Sequence, residues 1–234
     1  MAKAMAKRFY DEVTVEEIEG AWSVLLDGKQ LRTPGKLKLA VLSKALAERI
    51  SAEWEAQRDR INPSLMPVTR LANVAIEQTP DNRDLLIAEA RRYAETDLLC
   101  FRAPQPRVLK ERQSQAWDRW IDWAADKGVA LETTETLQAV THPAESLTAV
   151  ERFAGSLDDL KLTLFVHLIA VYGSVILAKA VMLQALTAEE AFDLSRTDHD
   201  YQIELWGEDE EQADIISDLR KETVALGQIL EFLQ

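Results

Sequence analysis

Residues 162–178 read LTLFVHLIAVYGSVILA, the most apolar run in the chain. Whether this run crosses a membrane or fills a core decides the fold. Its length sits near the lower limit of the roughly 17–25 residues a spanning helix needs. His167 interrupts it, Lys179 bounds it, and Asp158, Asp159 and Lys161 precede it without a cluster of positive charge. The run therefore reads as a fully buried central helix, part of one long apolar helix over Leu157–Leu186, with His167 as a hydrogen-bonded core residue.

Upstream of it the pattern is helical back to about Asp81. One helix is expected over Asn82–Cys100, a Pro-punctuated break over Ala103–Pro106, and a second helix over Pro106–Lys127 stopped by Gly128. Trp117, Trp120 and Trp123 stand three apart in it and read as a core stripe. The stretch 129–140, VALETTETLQAV, is rich in β-branched residues and reads as extended, either rejoining an N-terminal sheet or connecting helices. A short helix over Pro143–Gly155 follows. Downstream, Thr187-Ala188-Glu189-Glu190 fits a capping box that starts another helix. Trp206-Gly207 interrupts that helix, and Glu208–Leu233 forms the last one.

Residues 8–42 have a different period. Val13 and Val15, then Trp22, Val24 and Leu26, then Leu31 and Thr33, then Leu37, Leu39 and Val41 alternate as strands do. Asp27-Gly28 is a hairpin signal for a type I′ turn, and Pro34-Gly35 marks a second turn. Ser43 is a plausible N-cap for an amphipathic helix over Lys44–Arg58, with Leu46, Ile50 and Trp54 on one face. Asn62-Pro63 breaks it, and Met66-Pro67 introduces a helix over Val68–Glu77. The expected fold class is α+β. A β-rich N-terminal domain with a covering helix takes residues 1–80, and a larger multihelical domain takes 81–234. No internal repeat or low-complexity tract is visible.

Composition narrows the function. The chain has 234 residues and a formal charge of −13, which suits neither nucleic acid nor an anionic membrane surface. Its one cysteine, Cys100, forms no intrachain disulfide and reads as a packed thiol. The N-terminus lacks the apolar core of a secretory signal. There is no Gly-rich phosphate loop, no GxSxG elbow and no HExxH.

The charge is concentrated. Residues 197–218, TDHDYQIELWGEDEEQADIISD, hold nine acids and no Lys or Arg, with Tyr201 and Trp206 among them. Such a field beside aromatics suggests a docking place. Part of it has a plainer reading, since acids such as Glu208–Glu211 favour a helix start. A catalytic alternative also exists. Asp198, His199, Asp200 and Glu204 could hold a divalent metal for a hydrolase, although acid-rich helices produce this spacing easily.

Several segments together resemble a known family. They are Lys7-Arg8-Phe9-Tyr10; Leu26-Asp27-Gly28 with Leu31-Arg32-Thr33-Pro34; Glu53-Trp54; Met66-Pro67-Val68-Thr69-Arg70-Leu71-Ala72-Asn73; Tyr93-Ala94-Glu95-Thr96-Asp97-Leu98-Leu99-Cys100; Arg112-Gln113 with Trp117-Asp118; Gly173-Ser174; and Asp198-His199-Asp200-Tyr201-Gln202 with Trp206-Gly207. In this order and spacing the chain resembles the ATP synthase assembly chaperones that bind the alpha subunit of the catalytic sector. The resemblance implies no catalysis and no cofactor. It implies a monomer that holds the unassembled alpha subunit against aggregation until beta replaces it. The partner-binding residues it implies are Asp198, Asp200, Gln202, Glu204, Trp206 and Asp209. Trp54, Arg70, Asn73, Thr96 and Asp97 match family positions expected to hold the β domain against the helices. Eukaryotic members carry a mitochondrial leader for the matrix. This chain shows none, so the expectation is a mature or a bacterial protein, cytoplasmic in the second case. Asp at 198 and 200 is a methylene shorter than the Glu often found there. A subunit that stays in a finished complex is the remaining alternative.

Overall fold

The computed structural model describes residues 6–136, 138 and 140–233, and it divides into two compact units. The first comprises the described residues up to Asp81 together with those from Gln228 onward, and the second is Asn82–Gly227. A small N-terminal sheet is followed by ten α-helices among the described residues.

In the first unit, β1 (Val13–Ile18) pairs antiparallel with β2 (Ala21–Leu26), from Val13 opposite Leu26 to Ile18 opposite Ala21. β3 (Lys29–Gln30) and β4 (Ala40–Val41) both pair with the other side of β2. Both tight turns use positive φ. Asp27 and Gly28 lie at 49° and 73°, as a type I′ turn requires, and Glu19 and Gly20 at 55° and 81°. The second turn is absent from the alternation reading, because Glu-Gly is a weaker signal than Asp-Gly. Strands β3 and β4 are only two residues long. Between them Thr33 and Lys36 close a tight turn, and Arg32 and Lys38 make a single bridge.

Helix α1 (Lys44–Glu55) starts where Ser43 Oγ accepts from Leu46 N, and it packs on β1 and β2 through Leu46 and Ile50. After a 3-10 turn at Pro63–Leu65 comes α2 (Pro67–Glu77). Residue 66 offers no side-chain cap to α2. Glu53 of α1 supplies it instead, accepting from Val68 N at 2.9 Å, Thr69 N at 2.8 Å and Thr69 Oγ1 at 2.7 Å. A 3-10 turn at Ile229–Phe232 closes this unit by burying Ile229 and Leu230, and it packs on α1.

Helices α3 (Thr79–Glu95), α4 (Arg107–Asp126) and α5 (Ala144–Ser156) lead into the apolar run. That run is two helices, not one. α6 (Asp159–Tyr172) ends at Gly173, which adopts a left-handed φ of 63°, and Ser174 caps α7 (Val175–Met182) by accepting from Leu177 N. A remote carboxylate fixes the break. Asp97, fully buried, accepts from Leu99 N at 3.0 Å, Ser174 Oγ at 3.1 Å and Ile176 N at 3.1 Å. The same residue ends the preceding segment early. α3 stops at Glu95, and Leu98–Cys100 is a separate 3-10 turn, where one helix to Cys100 was expected. Leu162, Leu164, Phe165, Leu168 and Ile169 are buried, and no helix among the described residues is long and apolar enough to cross a membrane.

The tryptophan stripe is graded: Trp117 and Trp120 are buried and Trp123 half-buried. Cys100 is buried, and burial pushes its thiol up, away from the thiolate. The stretch expected to be extended makes one parallel bridge, Phe101 to Thr134, within the second unit, and no strand among its described residues. Leu137 and Ala139 of it lie outside the described residues.

Candidate functional site

The acid-rich stretch folds as an elbow. α8 (Ala188–Ser195) begins with the expected capping box of Thr187 and Glu190. It stops at Arg196, and a separate helix, α9 (Thr197–Trp206), carries Asp198 to Trp206. Gly207, at φ 86°, turns the chain into α10 (Glu210–Gln228). The expected helix over Glu208–Leu233 is thus divided into a cap, α10 and the final 3-10 turn. Asp209 Oδ1 accepts from Glu211 N at 2.9 Å and Gln212 N at 3.2 Å, so this candidate docking acid is the N-cap of α10.

Helix α4 grips α9. Arg112 makes a two-pronged pair with Glu204, its Nη1 and Nη2 donating at 2.7 and 2.6 Å, and its guanidinium lies 5.3 Å from the Tyr201 ring centroid. The pair holds Glu204 below the usual carboxylate range. Gln113, buried, donates to Asp198 Oδ1 at 2.8 Å and accepts from Ala103 N at 2.7 Å. Trp117 Nε1 donates to Leu194 O at 2.8 Å. Asp198 is half-buried, and burial raises its carboxyl against the opposing pull of Gln113 and Arg102. Arg112, Gln113 and Trp117 belong to a segment that the family comparison picked out without a role. Separations of 77 to 92 residues leave no local signal that could have assigned one.

The outward face differs. Asp200 is exposed; burial of its inner part raises its carboxyl, opposed by Arg196 and His199. Gln202 and Trp206 line a notch between α9 and α10 with His199, Ile203, Ala213 and Ile216. Its volume of about 140 Å³ suits one large side chain and falls well below the ~300 Å³ of a small-molecule pocket. Trp206 is 78% exposed, Leu205 and Ile215 are also exposed, and the acids Glu208, Asp209, Glu210 and Glu211 crowd the same bend.

The four side chains offered for a metal site do not converge in this arrangement. Asp198 turns to Gln113 and Glu204 to Arg112, leaving His199 and Asp200 without a common focus. Among the described residues no three His, Cys, Asp or Glu side chains converge on a place that could hold a metal ion.

The other family positions belong to other elements: Trp54 to α1, Arg70 and Asn73 to α2, and Thr96 and Asp97 to the link after α3. Trp54 packs 5.6 Å from the Tyr10 ring, and its carbonyl accepts from Tyr10 Oη at 2.7 Å. Arg70 and Asn73 are half-buried on α2. Thr96 is exposed, and Asp97 is the buried cap described above.

A family model described as "ATP12 chaperone protein" matches residues 7–125. The chain is similar to the crystal structure of Atp12 from Paracoccus denitrificans, with a TM-score of 0.91 and 36% identity over 98% of this chain and 99% of that one. An aspartate-to-lysine mutant of the same protein matches equally, with a TM-score of 0.91 over 98% of each chain. A curated relative, the mitochondrial Atp12 protein of Schizosaccharomyces pombe, is 23% identical over 96% of this chain and 81% of its own length.

Proposed function

The chain belongs to the ATP12 chaperone family, and from that premise we propose that it is a non-enzymatic assembly chaperone of the ATP synthase catalytic sector. It holds the unassembled alpha subunit as a monomer, without a cofactor, until the beta subunit displaces it. An unpaired subunit exposes an apolar interface that self-associates at working concentrations. A chaperone selective for that form lowers its free concentration, and the true partner releases it by competition.

The observation that carries the reading is the elbow. Trp206 stands 78% exposed in a stretch with nine acids and no Lys or Arg. Trp and Tyr are over-represented among the few residues that carry most binding energy at protein interfaces. Asp200 and Trp206 are the client-facing pair, because Asp198 and Glu204 are engaged by α4. Arg112 and Gln113 are positioning residues that present α9.

The test is an aggregation assay. Alpha subunit is diluted to a concentration where it scatters light, alone and with the wild type, Asp200→Lys and Trp206→Ala. Suppression by the wild type and not by the variants is expected. Equal suppression by all three would move the docking surface elsewhere, and no suppression by the wild type would refute the chaperone role.

A further inference from the structure

The helical unit also carries a groove of the opposite character. It is about 710 Å³, open, and runs beside the C-terminal end of α4 along the outer face of α5. Its α5 positions are Ala144, Glu145, Thr148, Ala149, Arg152, Phe153 and Ser156, a spacing that keeps one helix face over about 16 Å. The opposite face of α5, with Leu147, Val150 and Ala154, is core.

Charge sets this groove apart from the rest of the chain. Lys127 lines it, and among the described residues neither Lys127 nor Arg152 has an acid partner for its side chain. Behind the wall lies Lys179, only 5% exposed. Its Nζ donates to the Lys127 carbonyl at 3.1 Å and sits 5.2 Å from the Phe153 ring centroid, with no carboxylate paired to it among the described residues. A buried ammonium with one hydrogen bond and one ring is costly to enclose. The groove itself is lined by two cations, Lys127 and Arg152, and one acid, Glu145, with Lys179 enclosed behind them. In a chain of charge −13 this is a local reversal of sign.

We propose that this groove docks an amphipathic helix from a partner protein. The apolar edge of that helix rests on Ala149 and Phe153, and its carboxylates meet Lys127 and Arg152. Two features favour a helix over a small anion: the small side chains Thr148, Ala149 and Ser156 along α5, and the half-buried Phe153 beside them. Small floor residues let a second helix axis approach to within the ~8–10 Å of ordinary helix packing, and laying an apolar stripe into a groove is a common recognition mode. Arg152 offers the planar fork that pairs with a carboxylate. The inference does not depend on the alpha-subunit reading, since the elbow and the groove share no lining residue.

The experiment uses the full chain and a fluorescein-labelled, 16-residue helical peptide with Leu and Ala on one face and Glu along its edges. A control peptide carries Gln in place of each Glu. Fluorescence anisotropy at low salt should show tighter binding of the Glu peptide. The double variant Lys127→Glu/Arg152→Glu should weaken it at least about tenfold without lowering Tm, and Ala149→Trp, which fills the floor and keeps the charges, should do the same. Lys221→Glu, an exposed charge on α10, should leave it unchanged. Equal affinity for the Glu and Gln peptides, or binding indifferent to both groove variants, would overturn the proposal.

Discussion

Two kinds of acid in this protein have opposite fates. Glu53 and Asp97 are enclosed, and each caps a helix from a distant part of the chain. Acids in the elbow, such as Asp200, Glu208 and Glu210, face water. The enclosed pair meets three donors each, so hydrogen bonds offset part of the cost of burying charge, and burial still raises both carboxyls. The elbow acids have few such partners, and what they contribute is field. The contrast teaches that a charge of −13 is not one property. Some carboxylates build the architecture, and others, such as Asp200, Glu208 and Glu210, face water and are open to a partner.

The largest effect should come from Asp97. Asp97→Ala orphans Leu99 N, Ser174 Oγ and Ile176 N and should cost about 3–5 kcal/mol, read by urea unfolding. Its proton makes the same point. Burial is the largest influence and raises Asp97 from 3.8 to about 6, against the hydrogen bonds from Leu99, Ile176 and Ser174. The folded state therefore binds the proton more tightly than the unfolded chain. The stabilising effect of protonation is full below 3.8 and is lost as pH rises through about 6. Wild type should accordingly lose stability relative to Asp97→Asn between those values, and parallel profiles would count against a titrating Asp97.

Next in size is Glu53→Ala, which removes the cap of α2 and should cost about 2–4 kcal/mol, with faster amide exchange at Val68 and Thr69. Smaller again is Arg112→Ala. Its pair with Glu204 is exposed to water, so Tm should stay within about 2 °C. Amides of α9 should nonetheless exchange several-fold faster, and a global loss instead would make α4 more than a positioning helix. The smallest change in stability belongs to Trp206→Ala, within about 1 °C for so exposed a residue, although the hold on the alpha subunit should be lost. A large fall in Tm there would place Trp206 among the architectural residues.

The difference between local and remote action also explains what could be read in the sequence. Asp27-Gly28, Ser43 and the Thr187–Glu190 box act within three residues, and each stands where its chemistry requires. The α+β class followed from the change of period near residue 43. Gly173-Ser174 was read through as part of one apolar helix, because hydrophobicity does not report backbone direction and the carboxylate that fixes the turn lies at residue 97. The stop at Arg196 offers α9 no side-chain N-cap, and the end of α8 is held by Thr197 Oγ1 and the remote Trp117 Nε1 on Leu194 O, so no local N-cap signal marked it. At the elbow, the acids and Trp206 were visible as composition. Which acids point outward was not, since that depends on Arg112 and Gln113 reaching from another helix.

The 3-10 turn that buries Ile229 and Leu230 against α1 has a bearing on biosynthesis. α1 ends at Glu55, yet part of its packing is encoded at residues 229–232. At roughly 5–20 residues per second, a ribosome needs on the order of 10–30 s to travel from one to the other. During that interval the sheet and α1 wait with an uncovered apolar patch, while the helical unit, residues 82–227, is itself being made. The first unit therefore gains its last core residues, Ile229 and Leu230, only after every residue of the helical unit has been synthesised.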